Sequence, residues 1–206
     1  ATPHVLTTGS NRAFFGNNPV CFVAPCEGEE PFCLDMATSA ITFNKVLQFM
    51  QEGISLPPNT VADANGNPTT DPESAKYLLP IGDYKGYGLS MMVDVLCSLL
   101  SGMPGGANVS EMYSGRMEER RCLGHYFVAL RIDCFEEISV FKKRMAEMLK
   151  ALRSEPRRDK DIPVQVPGDP EKKIATIRLK QGIPIPRKVL GDFSQISKEY
   201  NVDFKI

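Results

Sequence analysis

Between Leu89 and Leu100 the apolar residues Leu89, Met92, Val93, Leu96, Leu99 and Leu100 recur at helical spacing, and Asp94 is the one charge among them. A helix that is apolar around most of its circumference has to be covered by other elements, so this spacing predicts a helix buried on most sides and ending near Gly102. With 206 residues, 42% of them hydrophobic, the chain can supply such cover. Its length is near the upper end for one ordinary domain.

The segments around that helix read as alternating strands and helices. Val20 to Ala24 is a short apolar run stopped by Pro25, and Pro31 to Met36 predicts a second strand. The small residues Ala37-Thr38-Ser39-Ala40 offer hydroxyl caps for a helix that ends at Gly53. Leu56 to Pro68 reads as a loop with an Asn65-Gly66 turn, and Thr70-Asp71-Pro72-Glu73 predicts the start of a short helix through Leu79. Gly124 to Ile132 alternates, with Tyr126, Val128, Leu130 and Ile132 on one face of an expected half-buried strand. A stripe from Phe135 to Leu152 predicts a long amphipathic helix, Arg153 to Asp161 a solvated loop, and Pro163 to Val166 a short strand. Asp169-Pro170-Glu171 opens a helix to Gly182, and Val189, Leu190, Phe193, Ile196 and Tyr200 space out a last one.

Charge and cysteine usage narrow the function. Lysine and arginine number 24 against 25 aspartates and glutamates, a net charge of −1, so no broad electropositive surface for nucleic acid or an anionic membrane is expected. A small molecule is the expected partner. The six cysteines, Cys21, Cys26, Cys33, Cys97, Cys122 and Cys134, form no C-x-x-C pair, and only His4 and His125 could join them. Buried reduced thiols and no metal site are expected. There is no signal-peptide core and no apolar run near the roughly 18 to 20 residues that span a bilayer, which predicts a cytoplasmic setting. The chain begins Ala1-Thr2-Pro3 without methionine, and residues upstream are expected.

Three places could carry chemistry. Asp35 ends a predicted strand before four small residues, so it either contacts a ligand or, the commoner outcome, caps the next helix with Thr38. Lys85 precedes Gly86-Tyr87-Gly88 and a helix start, which brings a cation and exposed amides together for a phosphate or carboxylate. Alternatively it is an ordinary surface lysine on a glycine-rich turn. Met91 stands where a dinucleotide fingerprint needs its third glycine, so a Rossmann site is unsupported. Gly168-Asp169 between Pro167 and Pro170 forms a turn whose helix amides meet a ligand or are simply capped. His4 and His125 are isolated, and Ser39, Ser90 and Ser110 lack the context of a hydrolase nucleophile.

Gly16-Asn17-Asn18-Pro19, Leu34-Asp35-Met36-Ala37-Thr38-Ser39, Asn44-Lys45-Val46, Gly66-Asn67-Pro68-Thr69-Thr70-Asp71-Pro72 and Lys85-Gly86-Tyr87-Gly88, in that order, resemble the malate/L-lactate dehydrogenase family. The resemblance continues through Leu123-Gly124-His125 and Pro167-Gly168-Asp169 and covers essentially the whole chain. It implies an α/β, non-Rossmann NAD(P)-binding fold with a largely antiparallel mixed sheet flanked by helices, the whole of 1–206 serving cofactor binding and dimerisation. It implies NAD or NADP as cofactor, a small 2-hydroxy or 2-oxo acid as substrate, and a homodimer. Carried onto matching positions, the cofactor contacts are Ala1, Asp35, Met36, Ala37, Lys85, Gly86, Gly168, Asp169 and Pro170.

Two departures are local: Asn17 stands where the family usually has threonine, and Asn44 where it usually has glycine. The third concerns length, because family members carry a further N-terminal segment that holds their catalytic acid/base histidine. Neither His4 nor His125 matches it, so the catalytic residue is expected upstream of Ala1 and the 206 residues alone are expected not to turn over substrate. The rival expectations are a cyclic imino acid reductase of the same family and a non-catalytic nucleotide-binding or dimerisation module.

Overall fold

Val5, Val46, Leu56, Val61 and Leu78 come from five separate stretches of sequence and bury together, none more than 2% exposed. Ile41, Phe43, Phe49 and Ala75 pack against them. The computed structural model describes residues 2–111, 118 and 120–204 and divides into two units, Ala1–Lys150 and Ala151–Ile206. In the first unit the strands are β1 (Val5–Leu6), β2 (Ala13–Phe15), β3 (Val20–Ala24), β4 (Phe32–Met36), β5 (Val61–Ala62), β6 (Pro68–Thr69) and β7 (Tyr77–Leu78). Five of them form a sheet in the order β2-β1-β7-β5-β6, parallel only between β1 and β7. β3 and β4 make a separate antiparallel ribbon, in register from Val20 opposite Met36 to Ala24 opposite Phe32. The result is an α/β chain whose mixed sheet is largely antiparallel.

Helix α1 (Phe43–Glu52) buries Val46 in the core of the first unit. Extended Thr42 caps it, accepting from the Lys45 amide at 3.3 Å, and Gly53 ends it at φ +65°, a conformation glycine adopts without a Cβ clash. The expected start at Ala37 to Ala40 is displaced. That stretch is held out of a helix because the Thr38 amide bonds the Asn17 carbonyl and the Ala40 amide bonds the Leu79 carbonyl.

The expected helix over 70–79 is also replaced. Thr69 Oγ1 accepts from the Asp71 amide at 3.1 Å and the Asp71 carboxylate from the Glu73 amide at 3.0 Å, so side chains close a turn before a helix can propagate. The chain then enters β7, where the Leu78 amide donates to the His4 carbonyl. Residues 124–131 form no ladder, and Tyr126, Val128 and Leu130 are 45%, 62% and 73% exposed. The alternation is present, but no described strand lies alongside to bury one face of it. Residues 163–166 likewise form no strand.

Helix α2 (Tyr84–Asp94) continues into a π-helical turn over Val95–Leu99 and ends by Gly102. Its burial reverses the sequence expectation. The inward positions are Gly86, Ser90, Asp94 and Ser98, four residues apart, whereas Met92, Leu99 and Leu100 are 45%, 64% and 69% exposed. The inward face is held by hydrogen bonds: Asp94 accepts from the buried Gly106 amide at 2.6 Å, and the Ser90 hydroxyl donates to the Gly16 carbonyl.

Helix α3 (Ile138–Arg153) follows, and the second unit holds α4 (Asp169–Gln181) and α5 (Arg187–Tyr200). Among the described residues no helix is long and apolar enough to cross a membrane.

Candidate functional site

Thr38 and Ser90 are both fully buried, and each satisfies its hydroxyl on the Gly16-Asn17-Asn18 turn. Thr38 donates to the Asn17 carbonyl through both its amide and its Oγ1, each at 2.9 Å. Ser90 Oγ donates to the Gly16 carbonyl at 3.1 Å, and Asn18 Nδ2 returns a bond to the Ser90 carbonyl at 2.9 Å. Asn18 sits at φ +32°, a conformation asparagine tolerates better than most side chains. A further bond, 2.9 Å from the Ile81 amide to the Thr38 carbonyl, ties the end of β4 to the approach of α2. The knot brings together three of the sequence motifs, the 16–19 turn, the 34–39 strand end and the 85–88 helix start.

At that junction Asp35 is exposed on β4, and Met36 and Ala37 are half-buried. Because α1 begins at Phe43 under a Thr42 cap, neither Asp35 nor Thr38 caps it. Lys85 is exposed in the first turn of α2 and makes no ion pair with another described residue. Asp83 precedes that helix without capping it, and the Lys85 amide donates to the Gly82 carbonyl at 3.3 Å. Gly86 has no substitute: a Cβ there would stand 2.2 Å from the Ile81 carbonyl oxygen and 2.6 Å from its nitrogen. An exposed carboxylate, a lysine that makes no ion pair among the described residues and a glycine-tight backbone suit a polar ligand that carries both hydroxyls and phosphate.

The third predicted group belongs to the second unit. Gly168 precedes α4 at φ +94°, and Pro170 stands in the first turn. Asp169 is already engaged: Arg153 Nε and an Arg153 terminal nitrogen reach its two oxygens at 2.9 and 2.8 Å, and the Val166 amide donates at 3.1 Å. The Arg153 hydrogen bonds hold the carboxyl below its ordinary value, against an opposing effect of burial. Ala1 lies outside the described residues.

Other polar features stand elsewhere. His4 stacks on Phe43 at 5.5 Å, and burial lowers its pKa while Glu111 opposes that effect. It opens onto a pocket of about 600 Å³ with Arg12, Lys76 and Tyr77. His125 stacks on Phe127 at 6.2 Å. A larger, mainly apolar groove of about 940 Å³ runs between β3, α2 and residues 126–132, and none of the carried-over contacts lines it. No three His, Cys, Asp or Glu among the described residues are placed to hold a metal. Sequence reasoning gave Ser90 no part in the site, because its partners Gly16 and Asn18 are 74 and 72 residues away and no local pattern announces them.

Comparison with known proteins identifies the family of the chain. The family profile for malate/L-lactate dehydrogenase matches residues 1–194. The NAD(+)-dependent ureidoglycolate dehydrogenase of Escherichia coli O157:H7 is 38% identical over 152 residues, which cover 74% of this chain and 43% of that protein. The malate dehydrogenase of Pyrococcus horikoshii is 32% identical over 211 residues, 98% of this chain and 57% of that protein. Its solved structure superposes with a TM-score of 0.84 at 30% identity, covering 100% of this chain and 57% of that one. The Δ1-pyrroline-2-carboxylate/Δ1-piperideine-2-carboxylate reductase of Pseudomonas putida is 43% identical over 101 residues, 48% of this chain and 30% of that protein. The chain thus spans about half the length of the curated relatives it matches. With the profile matched over residues 1–194 of its 206, the chain belongs to the malate/L-lactate dehydrogenase family.

Proposed function

We propose that this chain provides the nicotinamide-cofactor site of an oxidoreductase acting at C2 of a small 2-hydroxy or 2-oxo acid, malate or lactate or a close analogue. The observation that carries this reading is the bonded junction of Thr38 and Ile81, which sets the exposed Asp35 carboxylate and the Lys85 cation on adjoining elements. Asp35 accepts ribose hydroxyls of NAD or NADP, Met36 and Ala37 let the sugar approach the backbone, and Lys85 meets the phosphates. Gly86 keeps that helix start close to Ile81. When bound, the cofactor supplies the hydride chemistry, and the protein supplies orientation and electrostatics.

The family resemblance also implies cofactor contacts at Ala1 and at Gly168, Asp169 and Pro170. The Arg153 pair holds Asp169 at the α4 start, so its carboxylate reaches the cofactor as part of an ion pair. The fold is read as a cofactor fold other than the Rossmann type, active as a homodimer in the cytoplasm. The acid/base is a histidine outside these 206 residues, so the chain alone binds cofactor without turning over substrate.

Titration of the purified chain with NADH and NADPH, followed by fluorescence and calorimetry, tests the reading. Saturable one-to-one binding of either is expected, and its absence for both sinks the proposal. The 43% identity to the imino acid reductase favours one alternative substrate class, cyclic imino acids. Reduction of Δ1-pyrroline-2-carboxylate in preference to oxaloacetate or pyruvate, by the chain joined to the family's N-terminal segment, selects it.

A further inference from the structure

Cys21 and Cys33 lie on opposite strands of the β3–β4 ribbon, where Cys21 pairs with Asp35 and Cys33 with Val23. Directly paired residues of an antiparallel ribbon share a face, and so do residues two apart along a strand. Cys21, Val23, Cys33 and Asp35 therefore stand on one face, with the two thiols as diagonal neighbours. Both are unpaired as free cysteines; Cys21 is exposed and Cys33 half-buried. We propose that Cys21 and Cys33 form a reversible dithiol–disulfide couple that exchanges with low-molecular-weight disulfides.

The geometry allows both closing and reopening. Diagonal neighbours of a flat ladder stand at the outer limit of disulfide reach, and the stronger twist of a two-stranded ribbon brings one diagonal together. The ribbon has no third strand bonded to it among the described residues, so its strands can shift to close the bond. The exposed position leaves the product open to reducing thiols. Desolvation, then the neighbouring Cys33 thiol and the Asp35 carboxylate, raises the pKa of the Cys21 thiol, which slows its attack on a disulfide without preventing it.

The reaction balances without any external electron carrier. One cysteine, as its thiolate, attacks a disulfide RSSR and releases RSH, its own proton passing to the departing thiolate. The second cysteine then attacks the mixed disulfide and releases a second RSH. Two protein thiols are oxidised to one intrachain disulfide, and one RSSR is reduced to two RSH.

The test uses the whole chain treated with oxidised glutathione, alkylated, and cut after Glu27, Glu29 and Glu30, which separate Cys21 and Cys26 from Cys33. Mass spectrometry is expected to find the two fragments joined with the loss of two hydrogens, with tandem fragmentation assigning the bridge to Cys21 rather than Cys26. Dithiothreitol should part them. Cys26→Ser should keep the bridge, and Cys33→Ser should leave a glutathione adduct on Cys21 with no bridge. Separate fragments from the oxidised wild type, with or without glutathione adducts, would overturn the proposal. A bridge assigned to Cys26, or one that survives Cys21→Ser, overturns it equally. None of these outcomes depends on cofactor binding.

Discussion

Asn18 and Ser90, 72 residues apart, are joined by a 2.9 Å hydrogen bond from the Asn18 side-chain amide to the Ser90 carbonyl, while the Ser90 hydroxyl reaches the neighbouring Gly16 carbonyl. Both residues are buried, so neither end can turn to water if the other is removed. Asn18→Ala is expected to destabilise the fold by about 1 to 3 kcal/mol, the cost of stranding buried polar groups. Urea unfolding measures it, and a midpoint equal to wild type would show that water satisfies the Ser90 carbonyl.

Gly86→Ala should be more damaging than a helix propensity scale allows, since alanine is ordinarily the better helix former. Its Cβ would meet the Ile81 backbone at 2.2 Å, and that backbone is pinned by the Thr38 bond. The expected loss is at least about 1 to 3 kcal/mol, with weakened NADH binding, read by thermal unfolding and calorimetry on the same sample.

Lys85→Ala tests the cofactor reading without disturbing the fold, because the side chain is exposed and makes no ion pair among the described residues. Loss of a charge-assisted phosphate contact is worth about 1.5 to 3 kcal/mol, or roughly 10- to 150-fold in Kd. Unchanged calorimetric affinity beside an unchanged melting temperature would remove Lys85 from the site.

Asp83 holds φ +58° and ψ −124°, a region strained for any residue with a Cβ, and its carboxylate accepts from Thr8 Oγ1 at 2.6 Å. Asp83→Gly removes the strain and an exposed hydrogen bond together. Relief of strain is worth about 1 to 3 kcal/mol against about 1 kcal/mol for the bond, so a net rise in stability is expected. A lower melting temperature for the variant would show that the Thr8 contact dominates.

The Asp169 carboxyl, held low by Arg153, makes the second unit sensitive to acid. A depressed carboxyl contributes stability that is fully present above its unfolded value, near 3.8, and is lost as pH falls through the lower folded value. Asp169→Asn should therefore lower stability at neutral pH and flatten its decline below about pH 4. Parallel acid titrations by circular dichroism check this, and superimposable curves would deny the pair any stabilising role.

Local signals account for most of what could be read before the structure. Gly53 stops α1, and Asp169-Pro170 starts α4, because caps act within one helical turn. Thr70-Asp71 misled for the same reason: side-chain bonds to nearby amides serve a turn as well as a helix start. The alternation from Tyr126 to Leu130 describes a strand that needs a neighbour, and no described residue supplies one. Asp35 and Lys85 stood out through their small flanking residues, whereas Ser90 has its whole role in bonds to residues more than seventy positions away. For α2 the apolar count was right and the direction it faces was not. Periodicity cannot tell which face a fold buries when the opposite stripe is small and hydrogen-bonding.

That orientation of α2 also fixes how its attachment responds to temperature. Contacts made by excluding water from oily surface release a large heat capacity and weaken on cooling. The inward stripe of Gly86, Ser90, Asp94 and Ser98 excludes little such surface, so separating the helix from its neighbours changes the heat capacity only slightly. The junction beneath Lys85 should stay closed in the cold, long after purely apolar contacts in the same chain have begun to loosen.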